Sequence, residues 1–560
     1  MFLPTTKQEL KNLGWDKLDI ILVTSDAYID SPFMGIAVIG KVLLSKGYKV
    51  GVIAQPDMES EKDITRLGSP SLFWGISGGA IDSMVANYTA SKKRRKSDDY
   101  TPGGINNRRP DRAVIAYTNL VKKYFKPDTS PIVLGGIEAS LRRISHYDFW
   151  SNKIRRSILF DSKADYLVFG MGEKTIVELA EALSNKLDVT NIKGLGYISK
   201  HSIDNYIEIP SFEEVSSDKN KFIKSFHIFY QNNDSITAKG IVQKHGDRYL
   251  VLNPVQKPLS TNELDAVYDL DFEREVHPYY KKDGEVKALT TIKFSISAHR
   301  GCYGQCNFCA ISIHEGATVT WRSEKSILKE GLLLSKIKDF KGIIHDIGGP
   351  TANMYGFECK KKLKTGICHD KRCLSPDVCK SLKPDHSPQI NLLEKLSKIE
   401  GIKKAFISSG IRHDLIVNDE KNGRKYLSKI IANHVSGQMK LAPEHVCENV
   451  LALMGKPNIA AILDFRKDFN KITENIGKKQ YLTYYLIAAH PGCTMEDMKQ
   501  LKTFTKKELK INPRQVQIFT PTPSTYSTLM YYTGIDPFSG SKIFVEKNPR
   551  EKEKQKKIII

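Results

Sequence analysis

The sequence predicts two successive α/β parts: a doubly wound parallel sheet at the N-terminal end, followed by an open or closed α/β barrel. Three observations lead there. Short apolar runs alternate with helical patterns through about the first 195 residues. The alternation fades from there to about residue 286, and it resumes at Ile292. Strands that alternate with helices build right-handed βαβ units, whose strands lie parallel.

Taken in order, residues 18–24 form the first expected strand, an apolar run suited to burial on both faces. Residues 33–46 carry helical spacing and stop at Gly47. Further strands are expected at 48–54, 72–76, 131–134 and 165–169, with a helix at 173–185. Ligands of such sheets sit beyond the carboxyl ends of the strands, so 25–35, 135–140 and 170–172 are the expected binding segments. This N-terminal domain is set at 1–195. A β-rich connector follows at 196–287, where 241–244 and 249–252 flank His245-Gly246-Asp247 as a hairpin. The core at 288–545 has expected strands at 342–347, 404–408, 438–441, 481–488 and 515–519, a helix at 326–336, and a Cys-rich insert at 357–386. The charged stretch 546–560 is expected to be a disordered tail.

A chain of 560 residues is too long for one core. Its formal charge of +22 would suit RNA or anionic cofactors. Yet the basic run 92–96 lacks interleaved aromatics and no RNA-binding domain is recognisable, so a solvated Lys-rich surface accounts for the charge better. No run approaches the ~20 apolar residues of a membrane span, and residues 1–10 do not pattern as a signal peptide. The nine cysteines are odd in number and clustered, which fits metal or redox chemistry in a reducing compartment. A cytoplasmic location is expected.

The most informative stretch is His299-Arg300-Gly301-Cys302-Tyr303-Gly304-Gln305-Cys306-Asn307-Phe308-Cys309. Its C-x3-C-x2-C spacing follows a strand-like segment, and a short Gly-containing loop lets three soft thiolates converge on one face of a cluster. A [4Fe–4S] cube normally takes four cysteines. With three from the motif, one iron keeps an open position, as catalytic metal sites do. Zinc fits poorly, because no second C-x2-C knuckle accompanies the motif. Phe308 would shield the cluster.

This motif and its setting resemble the radical S-adenosylmethionine (SAM) enzymes, and the wider chain resembles their YgiQ-type branch over nearly its whole length. The resemblance is carried by Ser25-Asp26-Ala27-Tyr28, Gly135-Gly136-Ile137-Glu138-Ala139-Ser140, Gly348-Gly349-Pro350-Thr351-Ala352-Asn353-Met354-Tyr355 and Ala442-Pro443-Glu444-His445. It implies a partial (β/α)6 barrel with the cluster loop after its first strand, preceded by a cobalamin-domain-like sheet. It also implies SAM on the open iron, reductive cleavage to a 5′-deoxyadenosyl radical, and a one-electron donor of flavodoxin or ferredoxin type. Such enzymes commonly place Gly-Gly-Glu near the methionine amine; here Gly348-Gly349-Pro350 lacks the acid. Ser408-Ser409-Gly410-Ile411-Arg412 resembles the ribose- and carboxylate-contacting segment, with a helix cap by Ser409 as the competing reading. Glu444 stands where relatives carry an acid near SAM, with a surface ion pair as its alternative. Residues 485–492 resemble the strand that supports adenine.

Cys359, Cys368, Cys373 and Cys379 form a second group whose spacing matches no standard knuckle. An auxiliary iron–sulfur cluster, a structural zinc, or reduced non-ligating thiols all remain open there. Relatives that bind cobalamin carry Asp-x-His-x-x-Gly, whereas this chain has Asp30-Ser31-Pro32-Phe33-Met34-Gly35. Proline cannot coordinate cobalt, so cobalamin is not expected. Two other functions compete with SAM cleavage: RNA modification of the methylthiotransferase kind, and a non-catalytic iron–sulfur regulatory protein.

Overall fold

The computed structural model describes residues 1–513 and 516–560. It divides into unit 1, residues 1–259 with 266–293, and unit 2, residues 260–265 with 294–560. Among the described residues no helix is long and apolar enough to cross a membrane.

Unit 1 is built on strand β1 (Ile20–Thr24), every residue of which is buried. Its apolar side chains face cover on both sides, which is why the run does not alternate. Helix α1 (Gly35–Ser45) follows and buries Ile36, Ala37, Val38, Val42 and Leu43. Next come β2 (Val50–Ala54), β3 (Phe73–Ser77), β4 (Ile132–Gly135), β5 (Tyr166–Val168) and α2 (Glu173–Ser184). β2 and β3 flank β1 in parallel, and β4 and β5 continue beyond β3. Strand order therefore reverses beside β1, the switch point where such sheets open a crevice.

The expected connector at 196–287 is not a separate body. Its strands β6 (Leu195–Ser199), β7 (Ile207–Ile209), β8 (Ile241–His245) and β9 (Arg248–Leu252) join the same sheet, in the order β7-β8-β9-β6-β5-β4-β3-β1-β2. β6 runs antiparallel to β5, and the β8–β9 hairpin pairs onto β6 through Tyr249–Leu252. A lone hairpin is marginal in water, whereas an open sheet edge needs a partner; pairing the two solves both problems. The sheet is thus parallel-rich but mixed.

Unit 2 repeats short parallel strands in chain order. They are β10 (Ser295–Ser297), β11 (Ile343–Ile344), β12 (Asp346–Gly348), β13 (Lys404–Ala405), β14 (Gln438–Glu444), β15 (Tyr481–Ala488) and β16 (Val516–Ile518). Gln515, at the head of the last expected strand, lies outside the described residues. β10 pairs with β12, β11 with β13, and β14 with β15 and then β16, all parallel. A single parallel bridge, Ile411 to Leu441, links the segment after β13 to β14. Helix Glu324–Ser335 closes over these strands, with Ile327 and Leu334 in one apolar core alongside Ile296, Ile344 and Ile347.

Residues 546–560 are not a disordered tail. Pro549–Ile559 form a helix begun by Asn548, whose side chain accepts the Arg550 N–H at 2.9 Å, and Pro549 fits the first turn. Gln555 Oε1 accepts the Ala489 N–H at 2.9 Å, and its Nε2 donates to the Cys493 carbonyl at 3.2 Å. Ile559 joins an apolar group with Met498, Leu501 and Val516. Charge hid an amphipathic pattern whose inner stripe is only three residues: Lys552, Gln555 and Ile559. Gln555→Ala is expected to cost about 1–3 kcal/mol, because it strands a buried N–H and a buried carbonyl. Deleting 549–560 is expected to lower the thermal midpoint further; an unchanged melting curve would show the helix to be dispensable.

Candidate metal centre

The loop that carries the cysteine motif leaves β10 through Ala298 and is pinched at its base. His299 and Arg300 pair antiparallel with Trp321 and Thr320. Gly301 then turns with φ 82°, and a Cβ there would run into the Thr318 carbonyl, so no other residue fits. Its N–H donates to Glu315 Oε2 at 3.0 Å, and the Cys302 N–H donates to the Gly316 carbonyl at 3.1 Å. Farther along, Asn307 donates from its backbone to Met454 and from its side chain to Leu453, both at 2.8 Å. The loop is thus tied down at both ends, which places its cysteines without spending them.

The three thiols share one neighbourhood. A Cβ built on Gly304 would lie 3.2 Å from Cys302 Sγ, 3.7 Å from Cys306 Sγ and 3.4 Å from Arg412 Nη1. Arg412 Nη1 points at Cys306 Sγ across 3.8 Å. Burial, and then the neighbouring Cys306 thiol, raise both Cys302 and Cys309 above the usual thiol range. Thiols that oppose one another's ionisation in a dry site are held as thiolates by a cation, so the donor set fits a metal group. Among the described residues no three His, Cys, Asp or Glu side chains are gathered around a single-ion position. A cube presents its irons at separate corners and takes its thiolates from further apart.

The other site residues fall around this loop. The Gly348 carbonyl accepts the Ala298 N–H at 2.6 Å, joining the turn to the strand that leads into the motif. Gly349 lies against His299: a Cβ there would sit 2.6 Å from its Nε2 and 2.7 Å from its carbonyl. Pro350 follows at the bend. Ser408 Oγ donates to the His345 carbonyl at 2.6 Å, and its N–H to Asp346 at 2.7 Å. Ser409 also bonds Asp346, so it is not a helix cap. Arg412 turns its fork onto Asp414, with Nε to Oδ1 at 2.8 Å and Nη2 to Oδ2. That leaves Nη1 toward sulfur rather than a free fork for a carboxylate. Glu444 is buried at 8% exposure, which excludes a surface ion pair, and holds φ 69° at the end of β14. Such backbone in a non-glycine residue persists where the surroundings impose it, commonly at functional sites. Burial raises its carboxyl pKa, against the pull of Lys456 and Arg412. Phe308 is half-buried, its ring edge-on to His490 at 6.4 Å.

Three residues escaped the sequence reading as site components. His299 is fully enclosed, with Nε2 2.9 Å from the Thr351 carbonyl and Nδ1 without a partner among the described residues. Burial lowers its pKa to about 4, so it is neutral at pH 7. Asp346 organises the 408–409 turn, and Asp414 holds Arg412. Each acid stands next to a segment already singled out, but nothing local marks which carboxylate takes which partner. In unit 1, Asp30 of the 30–35 segment pairs with Lys41 at 3.0 Å and accepts the Glu273 N–H at 3.0 Å. The expected binding segment 25–35 is also packed from within: Arg109, unexposed, bonds Asp26 at 2.8 Å and Asp98 at 2.9 Å.

Known proteins extend these observations. Residues 2–295 match a family model described as Radical SAM N-terminal. A UPF0313 protein of Fusobacterium nucleatum subsp. nucleatum is 56% identical over 558 residues, spanning 100% of this chain and 98% of the relative. A UPF0313 protein of Thermotoga petrophila is 50% identical over 563 residues, with 100% and 98% covered. Among solved structures, the radical S-adenosylmethionine methyltransferase TsrM of Kitasatospora setae, with cobalamin and [4Fe–4S] cluster bound, is similar at TM-score 0.50 and 13% identity. That match covers 91% of this chain and 77% of TsrM. At such low identity the likeness is one of fold.

Proposed function

We propose, because the chain belongs to the UPF0313 family of radical SAM proteins, that it is an enzyme cleaving SAM at an iron–sulfur cluster held by Cys302, Cys306 and Cys309. The observation that carries the reading is the convergence of Cys302 Sγ, Cys306 Sγ and the Arg412 guanidinium on side-chain-free Gly304. Three thiolates and no fourth local one would leave an iron open for the amino and carboxylate groups of SAM. Held by Cys302, Cys306 and Cys309 and fed by a flavodoxin- or ferredoxin-type donor, a [4Fe–4S] cluster would supply the one-electron reduction that cleaves a carbon–sulfur bond of SAM.

The chain's own residues then have separable tasks, in a fold read as a partial (β/α)6 barrel. Gly349 keeps the backbone flush with His299, and with the Gly348 carbonyl spent on Ala298, the Gly349 and Pro350 carbonyls would face the methionine amine that relatives meet with an acid. Arg412, with its fork spent on Asp414, would donate to the Cys306 sulfur and offset the cluster's negative charge. Ser408 and Glu444 would meet the ribose and the rest of SAM, and Phe308 would exclude water. Pro32 offers no imidazole, so any corrinoid in unit 1 would be held without a ligand from that position.

Anaerobically reconstituted protein should contain iron and sulfide and yield 5′-deoxyadenosine from SAM with dithionite. Bound iron without SAM cleavage would leave a non-catalytic iron–sulfur protein, and zinc alone would overturn the reading. RNA modification would require cleavage stimulated by RNA.

A further inference from the structure

We infer that Cys359, Cys368, Cys373 and Cys379 hold a second iron–sulfur centre, beside the motif loop. Eight, four and five residues separate them in the chain, yet all four line one pocket. A random arrangement of reduced thiols has no reason to collect on one cavity. The segment around them points the same way. Residues 366–386 contain neither helix nor strand, although Leu374, Leu382 and His386 within them are buried. Irregular stretches this long are uncommon in compact units, and small folds stabilise such stretches with a metal or disulfides. No disulfide is formed here.

The lining suits an anionic centre. Lys361, Lys371 and Arg372 border the pocket together with Lys362. Lys362 is neutralised by buried Glu358 at 2.8 Å, which leaves Lys361 and Lys371 to offset the cavity's charge. Four thiolates around an iron–sulfur core give net negative charge, which such a rim offsets. One wall is dry: Cys359 and Cys373 pack with Tyr303, Phe357, Leu374 and Leu382, in the apolar group that Cys302 also touches. Arg372 reaches from the rim to the motif loop, donating to the Gln305 carbonyl at 3.0 Å and to Asn307 Oδ1 at 2.6 Å. Filling the second site would therefore stiffen the loop of the first. Zinc is disfavoured because the cysteines lack knuckle spacing.

The test uses the full chain with Cys302→Ala, Cys306→Ala and Cys309→Ala combined, purified without oxygen, and measures iron, acid-labile sulfide, zinc and free thiols. Retained iron and sulfide in equal amounts, with an electron-spin-resonance signal after reduction, is the expected result. Zinc in place of iron, or no metal with all four thiols reactive, would overturn the inference. Because this variant lacks the first site, the outcome is independent of SAM cleavage. Cys373→Ser with Cys379→Ser in the otherwise native chain should remove about half the total iron; iron left unchanged in a folded double variant would also overturn it.

Discussion

Cys306→Ala should strip the motif loop of iron and abolish 5′-deoxyadenosine formation, while the protein stays folded. Cys306 lies between the other two motif cysteines in the chain, and it is the sulfur that Arg412 faces at 3.8 Å. Two thiols cannot hold a cube that already takes one fewer than its usual four. Replacing a group that merely supports a metal ligand costs about 10–100-fold in affinity or activity, so loss of a ligand should exceed that range. Folding should survive because the loop's anchors lie elsewhere. Gly301, Asn307 and Ser527 bond through their own backbones. The control is Cys447→Ala: Cys447 is buried in an apolar group with Val450, Met454 and Leu486 and is not part of the motif. It should lower stability modestly and leave iron unchanged. Iron and SAM cleavage that persist in Cys306→Ala would remove this loop from the chemistry.

Arg322→Met should destabilise unit 2 by about 3–5 kcal/mol, the usual cost of breaking a buried ion pair by deleting one partner. Arg322 is unexposed and pairs with Glu330, itself 4% exposed. Its Nη1 also donates to the Ser297 carbonyl at 3.0 Å, and Nη2 to Ser326 Oγ at 2.8 Å. Removing it leaves a carboxylate in the core and frees the end of β10, immediately before the motif loop. Iron retention should therefore fall together with the denaturation midpoint. Adding Glu330→Leu should recover most of the stability, since an apolar pair of similar volume is often no worse than a buried ion pair. A single variant that melts like the native protein would show that the pair is solvated.

Local pattern carried much of this protein. The apolar run at 20–24 had to be a strand buried on both faces, and it pairs on both edges with parallel neighbours at 50–54 and 73–77. The hairpin at 241–252 was legible from its turn, with Val242 opposite Val251 as the alternation requires. The three motif cysteines stood out because their C-x3-C-x2-C spacing is written within eight residues. The hairpin and the motif share one property: the interacting groups are near in sequence, so spacing alone expresses the physics.

What the sequence could not express was the choice among several available partners, near or far. The hairpin's free edge joined β6 rather than founding a connector, because that edge was the one left open. The charged end of the chain docked because three of its side chains match a groove made by residues some sixty positions earlier, Ala489 and Cys493 among them. Arg412 looked like a free fork for a carboxylate until Asp414, two residues on, took it. Four cysteines with no recognisable spacing came to share one pocket. In each case a local pattern leaves several partners open, and the tertiary fold decides by which arrangement leaves no edge, charge or apolar face unmatched.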